Sequence, residues 1–141
     1  MCSSDLLYAQ EKRRLASELG GVLAEVRQLL QAQHTLSKLE QSGALHAIQV
    51  LTENSIGKAK VILKSQGQTV PVSAYDAFSK LHALGYINAD QLRDWTAAIG
   101  MRNRIVHEYL NVSMTVVEEI IVKQYYQLQI DFLIAEMPAP K

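Results

Sequence analysis

Only Pro71 interrupts the first 137 residues; the other two prolines stand at 138 and 140. Proline breaks helix interiors, so a chain this poor in it is free to be helical almost throughout. The apolar residues follow suit. Leu15, Leu19, Val22, Val26 and Leu29 recur at spacings of 4, 3, 4 and 3, which is one stripe of a helix from Ser4 to about Ala32. Gly20-Gly21 falls inside it, where each glycine costs up to about 1 kcal/mol against alanine. A tight helix–helix approach or a kink would account for the pair. The charges from Glu11 to Arg14 read as a solvated face.

A second helix is expected from Thr35 to about Ser65, with Leu36, Leu39, Gly43, Ala47, Val50, Asn54, Gly57 and Val61 along one stripe. Much of that stripe is small, which lets a neighbouring helix come close. Asn54 on it is either a hydrogen-bonded core residue or part of a cleft. Lys58, Lys60 and Lys64 read as a wet face. Gly67 supplies the stop. Ser73, with Pro71 before it and Asp76 three residues on, opens a short helix that buries Phe78, Leu81 and Leu84 and ends at Gly85. Asn88 with Gln91 caps the next, which turns Leu92, Trp95, Ala98 and Ile99 inward and reaches Gly100. A long last helix is expected to start around Ser113 to Thr115, with Thr115 and Glu118 fitting the capping pattern, and its stripe is Val117, Ile121, Tyr125, Leu128 and Phe132. It frays at Met137-Pro138, and 137–141 are expected to form a flexible tail.

No segment alternates as a strand would, and no internal repeat is present. The expected fold is all-α, an antiparallel bundle of about five helices forming a single domain over residues 1–141. Charge balances at 14 basic against 14 acidic residues, which argues against coating nucleic acid by bulk electrostatics but leaves room for a local basic cleft. Cys2, the one cysteine, allows no internal disulfide and is more bystander than nucleophile. Without a membrane-length apolar run or a signal-like start, a cytoplasmic protein is expected.

Arg102-Asn103-Arg104-Ile105-Val106-His107-Glu108-Tyr109 is the stretch richest in chemistry. A guanidinium offers a fixed fork of donors to phosphate oxygens, and an imidazole moves protons near neutral pH. Together they suffice, in principle, to cleave a phosphodiester without a metal. Such a spacing also occurs as an exposed arginine and a partly buried histidine with no chemistry. Five residues along an ideal helix turn through about 500°, which sets Arg102 and His107 roughly 140° apart. They converge only where the helix bends or ends, or where a second chain supplies the missing half. Gly100, just ahead, is expected to supply a bend. His34, His46 and His82 lack partners at ligand spacing and read as surface or core histidines. No glycine-rich phosphate loop, paired cysteine or H-E-x-x-H motif occurs, so no metal and no cofactor are expected.

The Glu53-Asn54-x-Ile56-Gly57-x-Ala59 segment, Phe78-x2-Leu81-x3-Gly85-Tyr86-Ile87 and Arg102-Asn103-x3-His107-x-Tyr109 together resemble the HEPN superfamily. Within it the chain looks like the HepT-like toxins of HEPN/MNT toxin–antitoxin pairs, over roughly residues 10 to 135. The resemblance implies a metal-independent endoribonuclease with Arg102 and His107 as the catalytic pair and Asn103 in support. It also implies a homodimer whose cleft takes the motif from both protomers. The antitoxin, a minimal nucleotidyltransferase, would silence the enzyme by transferring AMP to Tyr109. Whether Glu53, Asn54, Lys58 and Lys60 line the cleft is left open. The competing reading keeps the fold and drops the catalysis, leaving a helical module that docks the nucleotidyltransferase.

Overall fold

The computed structural model describes residues 3–138, so Cys2 and the last three residues of the expected tail lie outside the described residues. Every regular element among them is helical. In order these are α1 (Ser3–Gln31), α2 (Lys38–Ser65), α3 (Ala74–Ala83), α4 (Ala89–His107), a 3-10 turn (Tyr109–Asn111), α5 (Met114–Val122) and α6 (Gln127–Ile134). No helix among the described residues is long and apolar enough to cross a membrane.

The starts of α2, α3 and α4 are written in local polar residues. Ser37 and Glu40 form a reciprocal capping box on α2, as Asn88 and Gln91 do on α4, and the Ser73 hydroxyl accepts from the Asp76 N–H on α3. Each satisfies N–H groups that the first turn leaves without a partner. The last segment starts within the expected Ser113 to Thr115, though Ser113 rather than Thr115 caps it, by accepting from the Val116 N–H. The expected single helix is two, because Gln124 takes a left-handed φ of 59°. There the Tyr125 N–H reaches back to the Ile120 carbonyl at 2.9 Å and the Gln124 N–H to Ile121 at 3.1 Å. This is the glycine-type stop of a helix, built with glutamine. Past the break the buried face moves on by one residue. Tyr126, Gln129 and Leu133 are buried where Tyr125, Leu128 and Phe132 were expected, and Tyr125 is exposed.

α2 is the spine. Its first half packs with Ala16, Leu23 and Val26 of α1, Ile105 of α4, Val117 and Ile121 of α5, Leu133 of α6 and Tyr126 just before α6. Its second half packs with Phe78, Leu81, Trp95 and Ile99. Phe78 stacks on Trp95 at 4.2 Å between ring centroids, and Phe132 meets Trp95 edge-on at 5.0 Å. A helix buried on both sides cannot be read as one stripe. Ala44, Leu45, Ile48, Leu51, Thr52, Ser55 and Ile56 are buried along it, whereas Leu39 and Val61 from the expected stripe are exposed. On α1, Leu23 is fully buried and the expected Val22 is exposed. Gly20 proves to be a close approach: a Cβ there would lie 2.9 Å from Ile130 Cδ1 of α6, while Gly21 faces open space. Met137, expected in the flexible tail, packs partly buried against the second cluster.

Lys58 corrects the wet-face expectation. It is only 3% exposed. Its ammonium donates to the carbonyls of Phe132 at 2.6 Å and Ala135 at 2.5 Å, near the Phe132 ring. Those carbonyls lie at the end of α6, where a helix has acceptors to spare and a negative dipole end. Lys58 therefore caps α6 from the side of α2. Burial, with a smaller push from the Arg13 charge, lowers its pKa from 10.5 to about 8. Lys60 is drawn in as well, donating to the Val72 carbonyl at 2.7 Å, and Lys64 alone of the three stays exposed without such a bond among the described residues.

The Lys58 arrangement has a pH signature. In the folded chain the amine releases its proton near pH 8, and in the unfolded chain near 10.5. Between those values the unfolded state binds the extra proton, so this group makes the fold more stable as pH rises, and it adds no slope below about 8. Denaturant unfolding across pH 7 to 11 should show that rise in the parent chain and lose it in Lys58→Met. At pH 7 the variant should lose about 1–3 kcal/mol, since the buried carbonyls lose their donor.

Candidate active site

The motif occupies the C-terminal half of α4 and the turn beyond it, against one long face of α2. The helix stays unbroken through Gly100, from Ala89 to His107, and ends there. Glu108 leaves helical geometry at φ −137°, ψ 42°, its N–H still reaching the Arg104 carbonyl, and the 3-10 turn follows. Ile105 is buried and anchors this end in the first core cluster. With the helix intact, Arg102 and His107 point roughly 140° apart. No hydrogen bond joins the two side chains among the described residues.

Arg102 is built in. Its Nε and Nη2 both donate to Glu53 Oε2, at 3.1 and 2.9 Å, and its Nη1 donates to Asn103 Oδ1 at 3.0 Å. Gln49, one turn earlier on α2, donates to the other Glu53 oxygen at 3.4 Å. A guanidinium has five N–H groups. Three are engaged here, which leaves one on each terminal nitrogen for an incoming anion. The Arg102 and Glu53 side chains are 27% and 34% exposed, so the pair contributes at most about 1 kcal/mol to stability. Its effect is orientation: the fork is held at the α2–α4 groove before any substrate arrives.

Asn103 thus accepts a hydrogen bond from the neighbouring Arg102. His107 is exposed, with no hydrogen bond among the described residues. Tyr109 is 46% exposed, and its hydroxyl lies 2.9 Å from the Ser42 hydroxyl of α2. Of the residues left open, Glu53 alone meets the motif. Asn54 turns instead to α1, accepting from Lys12 at 2.6 Å and donating to the Val50 carbonyl, the hydrogen-bonded reading. Lys12 is thereby taken out of the solvated face expected for Glu11 to Arg14. Sequence reasoning missed Ser42 and Gln49. Their signal lay in helical register, since Ser42, Gln49 and Glu53 share one stripe of α2.

Among the described residues no three His, Cys, Asp or Glu side chains gather as a metal site needs. A separate apolar cleft of about 400 Å³, walled by Ile48, Ala98, Met101, Ile120 and Leu128, contains none of the motif residues.

A solved structure described as "Crystal structure of the toxin-antitoxin with AMP-PNP" matches with a TM-score of 0.70 over 94% of this chain and 99% of its own, at 20% identity. That likeness is one of fold. No curated protein matches the sequence. The family model "Ribonuclease HepT-like" matches residues 19–132, from the middle of α1 to the last turn of α6, and so includes the whole motif. The chain belongs to the ribonuclease HepT-like family of the HEPN superfamily.

Proposed function

We propose that the chain is a metal-independent endoribonuclease, the toxin of a toxin–antitoxin pair, acting as a two-fold homodimer. The observation that carries this is the fork of Arg102, positioned by Glu53 and Asn103 with N–H groups to spare, in a chain of a ribonuclease family. Two such N–H groups suit two phosphoryl oxygens. They would stabilise the charge that develops there as the phosphorus is attacked. His107, exposed at the helix end, would take the proton from the ribose 2′-hydroxyl, whose oxygen then attacks the adjacent phosphorus. The bond to the 5′-oxygen breaks, leaving a 2′,3′-cyclic phosphate and a 5′-hydroxyl. Because Arg102 and His107 diverge on one helix, the cleft is completed by a second copy of the motif across a two-fold axis.

Silencing would run through Tyr109. An antitoxin of the nucleotidyltransferase type would transfer AMP from ATP to its hydroxyl and release pyrophosphate. The toxin–antitoxin relative described with AMP-PNP supports this partner and this chemistry. The hydroxyl is accessible and already hydrogen-bonded to Ser42. An added AMP, two residues from His107, puts a bulky anion where RNA phosphate would meet Arg102. The second reading, a docking module without catalysis, draws on the same ion pair, since Glu53 already occupies part of the Arg102 fork.

RNA cleavage by the purified chain separates the two. His107→Ala and Arg102→Ala should each lower the rate by at least about 100-fold while leaving the helical signal and thermal midpoint nearly unchanged. Cleavage should persist in excess EDTA. Activity that stops with the chelator and returns with magnesium would contradict the metal-free mechanism, and a parent chain inert toward all RNA would favour the docking module.

Tyr109→Phe gives the complementary result. The variant should keep most of its ribonuclease activity, since the phenol moves no proton in cleavage. With the antitoxin and ATP, intact-mass measurement should show AMP added to the parent and none on the variant, which should remain active. If the antitoxin silences the variant equally well, inhibition works by binding alone.

A further inference from the structure

Of the three histidines outside the motif, two have local structural explanations. His34 pairs with Glu40 through Nε2 at 2.8 Å, beside the α2 cap, and His82 Nδ1 lies 3.1 Å from the Ile87 carbonyl. His46 has neither. It is exposed near the start of α2, without a hydrogen bond or ion pair among the described residues.

Its place is fixed by two contacts between α2 and the motif. Ser42 meets Tyr109 at 2.9 Å and Glu53 meets Arg102 at 2.9 Å. These are antiparallel anchors: the lower position on α2 faces the higher one on the motif. Positions 42, 46, 49 and 53 fall within about 60° of one another around α2, at 100° per residue. His46 therefore shares the stripe of the two anchoring residues and of Gln49. It stands about a third of the way from Ser42 to Glu53, and the same fraction of the path from Tyr109 back to Arg102 falls near Val106 and His107. The wall facing the end of the motif helix thus carries an unengaged imidazole.

Phosphodiester transesterification without a metal needs two proton transfers. One group accepts the proton of the 2′-hydroxyl and another donates a proton to the departing 5′-oxygen. Arg102 cannot donate, since guanidinium does not release a proton in proteins. Glu53 is engaged as the acceptor of its ion pair. We propose that His46 is a second catalytic histidine, the general acid that protonates the 5′-oxygen leaving the phosphate held by Arg102 of its own chain. The O2′–P bond forms as the P–O5′ bond breaks. His107 gains the proton from O2′, His46 gives one to O5′, and exchange with water resets both. This rests on the ribonuclease reading above and names the acid that it requires.

The test compares two substrates cleaved by the purified dimer, a ribodinucleotide and a ribonucleoside 3′-(4-nitrophenyl phosphate). Nitrophenolate leaves without help from an acid; a ribose 5′-oxygen does not. His46→Gln should cleave the dinucleotide roughly 100-fold or more slowly than the parent, while its rate on the nitrophenyl ester stays within about tenfold. His107→Ala, lacking the base, should lose both activities. The proposal is overturned if His46→Gln matches the parent on the dinucleotide. It is equally overturned if the variant loses both substrates to the same extent, as a folding or binding defect would dictate. A parent chain that cleaves neither substrate would instead remove the ribonuclease reading itself.

Discussion

The arrangement depends on how α2 is buried. This helix contributes to both halves of the core, and most of its circumference is covered by α1, α3, α4 and the last two helices. The stripe that remains carries Ser42, His46, Gln49 and Glu53. Burial there would leave polar groups that the core cannot satisfy. Instead the stripe lies partly open to solvent, and the α4 motif meets it at two points. These polar contacts, Ser42 with Tyr109 and Glu53 with Arg102, hold stripe and motif in register. Neither is strong enough to matter much for folding, because both are partly solvated. The core determines where the helices lie, and these bonds determine where the functional groups point.

That division explains why Arg102 and His107 are held so differently. Arg102 falls on the side of α4 that faces α2 and is fixed by Glu53 and Asn103. His107, five residues on in an unbroken helix, faces elsewhere and is free of partners among the described residues. On the proposed reading, an arginine pre-set for an anion and a histidine roughly 140° round an ideal helix from it would make an incomplete site in one chain. Two copies related by a two-fold axis would supply each cleft with the Arg102 fork of one chain and the imidazole of the other. Preorganisation of the cation lowers the cost of stabilising charge in the transition state, because the fork need not reorient as the phosphorus is attacked.

The helical class, the starts of α3 and α4 and the motif were legible because each rests on local chemistry. Apolar residues at spacings of three and four require no knowledge of the partner surface, and a serine or asparagine cap acts within one turn. What was not legible depended on contacts far along the chain. Lys58 looked like a solvated lysine until the end of α6 came to rest on it, 74 residues away. Glutamine marks two of the helix stops, at Gln33 and Gln124, with the same left-handed backbone as Gly67 and Gly85. The glycines announce such stops and the glutamines do not, since a non-glycine residue takes that conformation only when its surroundings impose it. Missing the stop at Gln124 put the expected stripe of the last segment out of phase by one residue. In the candidate site the motif was visible as a string, but the Glu53 contact needed the register between α2 and α4.

In the proposed dimer Arg102 and His107 act from different chains, and subunit mixing tests that most directly. Arg102→Ala and His107→Ala chains, each inactive alone, would be unfolded together, refolded and assayed for RNA cleavage. In a mixed dimer one cleft loses both groups and the other keeps both. Random mixing should therefore restore about a quarter of the parent activity per chain. If the mixture stays as inactive as its components while native mass spectrometry shows mixed dimers, both residues act within one chain and the shared cleft is wrong.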